Sequence, residues 1–338
     1  MSPFPPKLPP TSIHPGTINR RDFLALGAIT ATASLLPGSA FASAGKAAPP
    51  SPATQQPGSF DYLFITDTHI QPELAAADGC ALAFKKAASL HVDFAIQGGD
   101  HVFDALAVNR KRADSLFDLY AHTEQALGLK VHHTIGNHDH FGLFTSSGIE
   151  ASAPGYGKQL FQERVGPTYY SFDHKGYHFV VLDTIQPTPD RSWEARIDDT
   201  QFAWLQTDLA KIPAGTPVIV TAHVPLASGI ASYGPSNPRS AAVEAPSHPQ
   251  MIVANANIVI DELQKHNTLA VFQGHTHVNE VVRFRGIPYI TGGAVCGNWW
   301  HGTRFGIPEG FTVVSLRNGK LDWRYETYGF KSIDPQNT

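Results

Sequence analysis

From residue 59 onward, short apolar runs alternate with stretches whose apolar positions recur every three or four residues. The short runs predict β-strands and the longer periodic stretches predict helices. The predicted strands are residues 62–66, 92–97, 130–135, 169–172, 177–183, 217–221, 269–273, 278–283, 288–291 and 311–316. The predicted helices are residues 79–90, 107–127 and 199–211. Strands and helices that alternate in this way predict an α/β layered fold that contains βαβ units.

The alternation continues to about residue 330 without a clear boundary. We therefore expect one domain over residues 59–330, followed by a short tail at residues 331–338. Residues 224–248 are rich in Pro, Gly, Ser and Ala and show little periodicity. A long irregular loop inside a compact domain is usually a functional rim or lid, and this loop is expected to be one.

The first 58 residues have a different composition. Arg20 and Arg21 precede an apolar run at residues 23–36 and a stretch of small residues at 39–44. This order resembles a twin-arginine export signal at residues 1–44, cleaved after Ala42 or Ala44 and recognised by the twin-arginine export machinery. The alternative is a disordered N-terminus with a chance arginine pair.

Export implies a periplasmic or secreted protein, in which residues 45–58 form a flexible leader. The apolar run at residues 23–36 is too short to span a bilayer, so no stable membrane anchor is expected. The two cysteines, Cys80 and Cys296, could remain as buried thiols or form one disulfide, and the sequence leaves both possibilities open.

The charge balance argues against one class of partner. The chain has 25 Lys and Arg against 29 Asp and Glu, a formal net charge of -4. A protein that binds nucleic-acid polymers needs a broad cationic surface, and this composition does not supply one. A small-molecule substrate is the expected partner.

Polar residues with metal-binding side chains follow directly after five predicted strands. They are Asp67, His69, Asp100, Asn137, His138, His223, His275 and His277. Side chains at the carboxyl ends of neighbouring strands converge on one edge of a sheet, so these residues are expected to form one site. Carboxylates and imidazoles suit a pair of transition-metal ions, and the absence of cysteine argues against a structural zinc cage. Such a pair activates a shared water near neutral pH, which is the chemistry of phosphoester hydrolysis.

Five blocks of the chain resemble, in order, those of the calcineurin-like metallophosphoesterases. The blocks are Asp67-Thr68-His69, Gly99-Asp100, Gly136-Asn137-His138-Asp139, Ala222-His223 and Gly274-His275-Thr276-His277. The resemblance covers roughly residues 60–280 and implies a four-layer αββα sandwich of two mixed sheets flanked by helices. Each block is expected directly after a strand, which is the structural context that makes the match specific.

The same resemblance implies two metal ions, each Fe, Mn or Zn, with Asp100 bridging them. The ligands of the first ion would be Asp67, His69, Asp100 and His277. The ligands of the second would be Asp100, Asn137, His223 and His275. The resemblance also implies that His138 assists the leaving group and that Asp139 orients His138.

The residues at two positions indicate which branch of the family the chain resembles most. Purple acid phosphatases carry a tyrosine three residues after the bridging aspartate, where this chain has Phe103, so a purple iron site is not expected. Asp139 resembles the corresponding residue of cyclic-nucleotide and glycerophosphodiester phosphodiesterases more than that of exported nucleotidases. The motif pattern is therefore closest to the phosphodiesterase branch.

Further residues are candidates for contact with the substrate. They are His101, His140, Trp299, Trp300, His301 and Arg304. Each has an alternative role: both tryptophans could close the core, Arg304 could form a surface salt bridge, and the two histidines nearest the ligands could lie behind the site or at the surface.

The sequence thus predicts a metal-dependent phosphoesterase in which a bridging hydroxide attacks phosphorus in line and His138 assists the leaving group. Phosphodiesters are favoured because the motif blocks contain no Arg or Lys to neutralise a dianion. One alternative is a phosphomonoesterase acting on a small organic phosphate. Another is a non-catalytic metal-binding homologue, which would be expected to lack a ligand or His138, and the chain has all of them.

Overall fold

The computed structural model describes residues 57–230 and 250–336. The predicted export signal, most of the predicted leader and residues 231–249 of the predicted loop lie outside the described residues, as do residues 337–338. Within the described ranges, no helix has the length and apolar character needed to cross a bilayer.

Most described strands coincide with the predicted apolar runs. The strands are β1 (Phe60–Ile65), β2 (Ala95–Gln97), β3 (Val131–His133), β4 (Tyr170–His174), β5 (Tyr177–Leu182), β6 (Ile185–Thr188), β7 (Ser192–Ala195), β8 (Pro217–Ala222), β9 (Asn267–Gln273), β10 (Glu280–Phe284), β11 (Ile287–Thr291), β12 (Gly310–Arg317) and β13 (Lys320–Thr327). The prediction omitted β6, β7 and β13. In β13 every second residue is exposed and the strand carries charge throughout, so it lacks the apolar run on which the prediction relied.

The helices are short and lie between the strands. They are α1 (Ala76–Ala88), α2 (Arg110–Glu124), α3 (Gln159–Arg164), α4 (Asp199–Leu209) and α5 (Ala256–Leu263). Helix α2 begins later than predicted because Asn109 caps it, accepting a hydrogen bond from the Arg112 backbone N–H at 3.0 Å. Asp198 caps α4 in the same way. The prediction omitted α3 and α5, which have only six and eight residues.

The strands form two mixed sheets. The first has the order β13-β12-β1-β2-β3, and the second has the order β10-β11-β9-β8-β5-β4. Strands β1, β2 and β3 run parallel to one another, as do β5, β8, β9 and β11. The predicted hairpin of β4 and β5 is antiparallel. Strands β6 and β7 form a separate hairpin.

Side chains of β1 alternate between two cores, which shows how the layers stack. Tyr62 and Phe64 pack in a core that also contains Phe179 and Phe272 of the second sheet. Leu63 points the other way, into a core with residues of α1 and α2. A third core lies between the second sheet and helices α4 and α5. The four-layer αββα sandwich implied by the resemblance is confirmed.

Candidate metal centre

The two sheets bring the seven predicted ligands together at one edge of the sandwich. Asp67 and His69 follow β1, Asp100 follows β2, and Asn137 opens a short 3-10 turn after β3. The remaining three ligands come from the second sheet: His223 follows β8, and His275 and His277 follow β9. Since the parallel strands of each sheet end on the same side, both groups of ligands meet at that edge.

Asp100 occupies the bridging position between the two halves of the site. Its Oδ2 lies 3.4 Å from Nε2 of His69 and 3.1 Å from Nε2 of His223. His223 in turn has its Nε2 3.2 Å from Oδ1 of Asn137. One carboxylate oxygen therefore faces imidazoles that the resemblance assigns to different ions.

The other half of the site is equally close-packed. Nε2 of His277 lies 3.1 Å from Nε2 of His69 and 3.4 Å from Oδ1 of Asp67. Asp67 is fixed in place because it accepts hydrogen bonds from Oγ1 of Thr66 at 2.7 Å and from the backbone N–H of His275 at 3.0 Å. Ligand atoms of Asp100, His223 and His275 also lie within 4.8 Å of one another.

In two of the histidines, the Nδ1 atom points away from the centre of the site and is close to a backbone carbonyl. Nδ1 of His223 lies 2.8 Å from the Gly98 carbonyl, and Nδ1 of His277 lies 2.7 Å from the Gly297 carbonyl. A carbonyl can only accept, so each Nδ1 carries a proton, and Nε2 is the nitrogen that faces the centre and could bind a metal.

This arrangement fits metal ions. The Nε2 atoms of His69 and His277 face each other at 3.1 Å, which places both within reach of a single cation. Nε2 of His275 is buried and has no hydrogen-bond partner among the described residues. The donor set of carboxylates, imidazoles and one amide suits Fe, Mn or Zn.

The charges of the site favour ionised carboxylates. Burial alone would raise the pKa of Asp67 and Asp100, but the neighbouring histidines, chiefly His277 for Asp67 and His223 for Asp100, hold both pKa values below the ordinary range. Burial would likewise lower the pKa of His223, yet the Asp100 carboxylate raises it to about 9. Burial lowers the pKa of His275 to about 4, which leaves a neutral imidazole available for a metal.

Several ligands sit in a backbone conformation that is costly for residues other than glycine. The φ angles of Asp67, Asp100 and His277 are 55°, 54° and 59°, in the left-handed region. Hydrogen bonds between the turns hold this conformation, including Asp67 N–H to the Gly99 carbonyl at 3.0 Å and His69 N–H to the Asp100 carbonyl at 3.0 Å. The strained turns of the first sheet therefore stabilise one another.

Glycines of the motif blocks permit the close approach of the carboxylates. A Cβ on Gly136 would lie 2.2 Å from Oδ1 of Asp100. A Cβ on Gly274 would lie 2.2 Å from Oγ1 of Thr66 and 2.7 Å from Oδ2 of Asp67. Neither position has room for a side chain unless a ligand moves.

The sequence model of the calcineurin-like phosphoesterase family matches residues 60–279, a range that includes all seven ligands and well over half of the chain. The chain belongs to the calcineurin-like phosphoesterase family. This family typically uses a dinuclear metal centre, and the His and Asp clusters described above provide candidate positions for one. No curated protein sequence matches the chain significantly.

Solved structures agree with the family fold. A dimetal phosphatase from Danio rerio is similar with a TM-score of 0.51 and 17% identity, over 80% of this chain and 99% of that chain. A purple acid phosphatase from yellow lupin (Lupinus luteus) seeds is similar with a TM-score of 0.54 and 13% identity, over 81% of this chain and 53% of that chain. At these identities the likeness concerns the fold.

His138 lies beside the seven predicted metal ligands. Its backbone N–H donates to Oδ1 of Asp100 at 2.8 Å, and its ring centroid is 4.7 Å from that of His69. Its Nδ1 lies 3.9 Å from Oδ1 of Asp104. The sequence did not identify Asp104 as a neighbour of His138. The only signal for it was its position, four residues after Asp100.

Asp139 does not take the position that the resemblance implied. Its carboxylate accepts hydrogen bonds from the backbone N–H groups of Gly136 and His101, both at 2.9 Å, and lies 2.9 Å from Nδ1 of His101. The tight 3-10 turn at Asn137–Asp139 directs this side chain inward, away from His138. Asp139 therefore joins the second and third motif blocks, and Asp104 is the carboxylate beside His138.

The two tryptophans have different environments. Trp300 is completely buried, donates from Nε1 to the His69 carbonyl at 3.0 Å and packs against Phe330. It thus belongs to the core and supports His69 from behind. Trp299 is only half-buried, and its ring centroid lies 4.5 Å from that of His277.

His101 and His140, two further candidates for substrate contact, both lie in the interior. His101 is buried between the rings of Tyr120 and Phe161, so it is a core residue. His140 is buried too, and its Nδ1 lies 3.0 Å from the Gly136 carbonyl.

His301 pairs with the Asp334 carbonyl at 3.0 Å. Arg304 stacks against Trp299, and this contact is the basis of a proposal below. Cys80 and Cys296 are both buried and free, and burial raises the pKa of both thiols.

Proposed function

We propose that this protein is a dinuclear-metal phosphodiesterase. The observation that carries the proposal is the position of Asp100 Oδ2, which lies 3.4 Å from His69 Nε2 and 3.1 Å from His223 Nε2 at the centre of a complete set of seven donors. A non-catalytic homologue would not need to keep this bridging geometry together with His138.

The residues of the site have two different roles in the proposed reaction, metal binding and proton donation. When bound, two metal ions would supply an activated water and neutralise phosphate oxygens. His138 is positioned by its backbone hydrogen bond to Asp100, and it remains partly exposed at the site. The Asp104 carboxylate lies 3.9 Å from Nδ1 of His138. An imidazole in this position is a group that can hand a proton to the leaving oxygen.

A diester is the favoured substrate because of the charge of the site. A phosphomonoester carries nearly two negative charges, and proteins generally recruit Arg or Lys to bind it. The seven ligands and His138 include neither residue type. A diester carries a single negative charge, which a metal pair would balance without a further cation.

We also propose that the enzyme is exported to the periplasm or secreted. The support comes from the sequence alone: Arg20 and Arg21, the apolar run at residues 23–36 and the small residues at 39–44 stand in the order of a twin-arginine signal. The free, buried state of both cysteines is compatible with any compartment.

The function is tested by comparing bis-p-nitrophenyl phosphate with p-nitrophenyl phosphate after loading the purified protein with Mn²⁺, Zn²⁺ or Fe²⁺. We expect the higher kcat/KM on the diester. His138→Ala should lower kcat by about 10²- to 10⁴-fold while the metal content stays near that of the wild type. Asn137→Ala should lower the metal content itself.

His174→Ala is the matched control, since His174 is partly exposed and paired with Asp93 rather than with the ligand cluster. It should leave turnover and metal content unchanged. Full turnover in His138→Ala would contradict the role of that residue, and preference for the monoester would favour a phosphatase. A metal-loaded protein that cleaves neither ester would point to the non-catalytic alternative.

A further inference from the structure

Arg304 lies between two aromatic rings next to the metal ligands. Its guanidinium carbon is 5.1 Å from the ring centroid of Trp299 and 4.4 Å from that of Phe305. We call these three residues the Trp299–Arg304 stack. A guanidinium covered by rings on its faces directs its N–H groups outward in its own plane, where they can bind an oxyanion in a bidentate manner.

The stack is adjacent to the ligand cluster. The ring centroid of Trp299 lies 4.5 Å from that of His277 and 6.1 Å from that of His69. The indole ring of Trp299 therefore contacts both the guanidinium and the imidazole of His277, a predicted ligand. The turn is held by a hydrogen bond from the Asn298 N–H to the Gly302 carbonyl at 2.8 Å.

Arg304 forms no ion pair with a carboxylate of the described residues, and its Nη1 donates to Oδ1 of Asn298 at 3.4 Å. Arginines that do pair with a carboxylate are Arg110, Arg112, Arg164, Arg285, Arg317 and Arg324. Nε of Arg304 is buried and has no hydrogen-bond partner in the described ranges. A half-buried cation without a carboxylate partner is suited to an external anion.

We propose that the Trp299–Arg304 stack binds a second oxyanion of the substrate, beyond the scissile phosphate. Trp299 contacts both Arg304 and His277, so an oxyanion held by the guanidinium would lie about one ring away from a phosphate held by the metal pair. This inference rests on the proposed function. It narrows the substrate class to phosphoesters that carry a further carboxylate or phosphate about one aromatic ring away from the reacting phosphorus.

The first test measures binding without turnover. Isothermal titration of the metal-loaded protein with phenylphosphonate and 4-carboxyphenylphosphonate compares ligands that differ by one carboxylate. We expect the carboxylated ligand to bind the wild type about 10-fold or more tightly than its parent, as a hydrogen-bonded charge pair predicts. Arg304→Gln should reduce this ratio to near one, and Arg304→Lys, which lacks the planar fork, should give an intermediate ratio.

Arg324→Gln is the matched control because Arg324 is exposed and pairs with Glu326. It should keep the wild-type ratio. An equal loss of affinity for both phosphonates in Arg304→Gln would indicate a merely structural role and overturn the inference, as would a wild type that does not discriminate between them.

The second test separates this inference from the proposed function. Methyl phenyl phosphate and methyl 4-carboxyphenyl phosphate are compared as substrates of the wild type and Arg304→Gln. If the wild type discriminates between the phosphonates but cleaves neither diester, the anion subsite stands and the proposed function fails. If both diesters are cleaved with a ratio of kcat/KM that Arg304→Gln does not change, the function stands and the subsite is wrong.

Discussion

The carboxylate of Asp100 contacts residues from three of the motif blocks. Oδ2 faces His69 and His223, while Oδ1 accepts the backbone N–H of His138 at 2.8 Å. The position of this carboxylate depends on Gly136, which packs directly against it. A change as small as one methyl group next to Asp100 should therefore disturb metal binding.

Gly136→Ala tests this dependence. The added Cβ would lie 2.2 Å from Oδ1 of Asp100 and 2.1 Å from its backbone nitrogen, so the carboxylate or the turn must move. We expect metal content, measured by inductively coupled plasma mass spectrometry, to fall from two ions per chain to one or fewer. Activity on bis-p-nitrophenyl phosphate should fall with it.

Gly148→Ala provides the control. Gly148 has a φ of 69° and no heavy atom within 4 Å of an added Cβ, so alanine there costs backbone strain alone, about 1 kcal/mol. Gly136 has a φ of -103°, which alanine adopts freely. Full metal content in Gly136→Ala, or equal metal loss in Gly148→Ala, would refute the explanation by close contact.

His132 is predicted to make stability depend on pH. Its ring stacks on that of Phe172 with centroids 3.5 Å apart, and burial, then the charges of Lys130 and His174, lower its pKa to about 4. Between about pH 6.5 and pH 4 the unfolded chain binds a proton at this position that the folded chain does not bind. The free energy of unfolding should therefore decrease as the pH falls through that window.

His132→Phe should remove this part of the pH dependence, about 1 to 2 kcal/mol after allowance for partial solvent contact. Urea denaturation of the chelated wild type and variant at pH 7 and pH 4.5 measures it, with exposed His91→Phe as the control. A decrease in stability between the two pH values that is as large in His132→Phe as in the wild type would contradict the assignment.

At the scale of secondary structure, each ligand block occupies the turn that follows a strand. The sequence located these turns because an apolar run that stops at Asp, Asn or His marks both the end of a buried strand and a donor. The length over which each strand forms ladder hydrogen bonds was harder to predict from the sequence. Strands β2 and β3 have three residues each where six were predicted, because only Ala95–Gln97 pair with β1 and only Val131–His133 pair with β2.

The segment at residues 330–336, part of which was predicted as a tail, holds the turn that carries both tryptophans. Oγ of Ser332 donates to the Trp300 carbonyl at 2.7 Å, and the N–H of Gln336 donates to the His301 carbonyl at 2.5 Å. Nδ2 of Asn298 donates to the Gln336 carbonyl at 2.9 Å. This segment therefore positions Trp299, although it lies far from every motif block in the sequence.

Deletion of residues 331–338 should consequently lower activity. The loss of four hydrogen bonds, including that between His301 and the Asp334 carbonyl, is expected to cost about 2 to 4 kcal/mol of stability. Displacement of Trp299 should lower kcat/KM on the diester about 10-fold. Thermal unfolding and steady-state kinetics measure the two effects. Deletion of residues 337–338 alone should leave both unchanged, and wild-type kcat/KM in the longer deletion would show that the segment does not position the turn.

At the scale of the whole molecule, the metal site connects the two sheets. Four ligands come from the first sheet and three from the second, and the core between the sheets, which includes Phe64 and Phe272, lies behind them. Metal ions bound at this edge should therefore stabilise the sandwich as a unit, because they bind only when both sheets are in place.

Removal of metal should lower the Tm. At a free metal concentration 100 times Kd, binding contributes about 2.7 kcal/mol per site, which corresponds to a Tm change of about 5 to 10 °C for a domain of this size. Differential scanning fluorimetry with EDTA, and after restoration of Mn²⁺ or Zn²⁺, measures the change. Asp100→Asn should show a low Tm response to added metal, and an unchanged Tm of the wild type in EDTA would contradict a site that bridges the sheets.

The sequence by itself determined the layered α/β class, the order of most strands along the chain and the strand ends at which the candidate ligands lie. It could do so because hydrophobic periodicity and the residue that ends each strand are local properties of the chain. The resemblance of the five motif blocks then implied how those ligands are shared between two ions.

Only the tertiary structure decided which side chains meet around that site. It placed Trp300 in the core and Trp299 against His277, turned Asp139 towards His101, and put Asp104 beside His138. These outcomes depend on the direction of each side chain at a tight turn and on contacts between residues far apart in the chain. No local pattern encodes them, because the packing of two sheets fixes them only when the whole sandwich has formed.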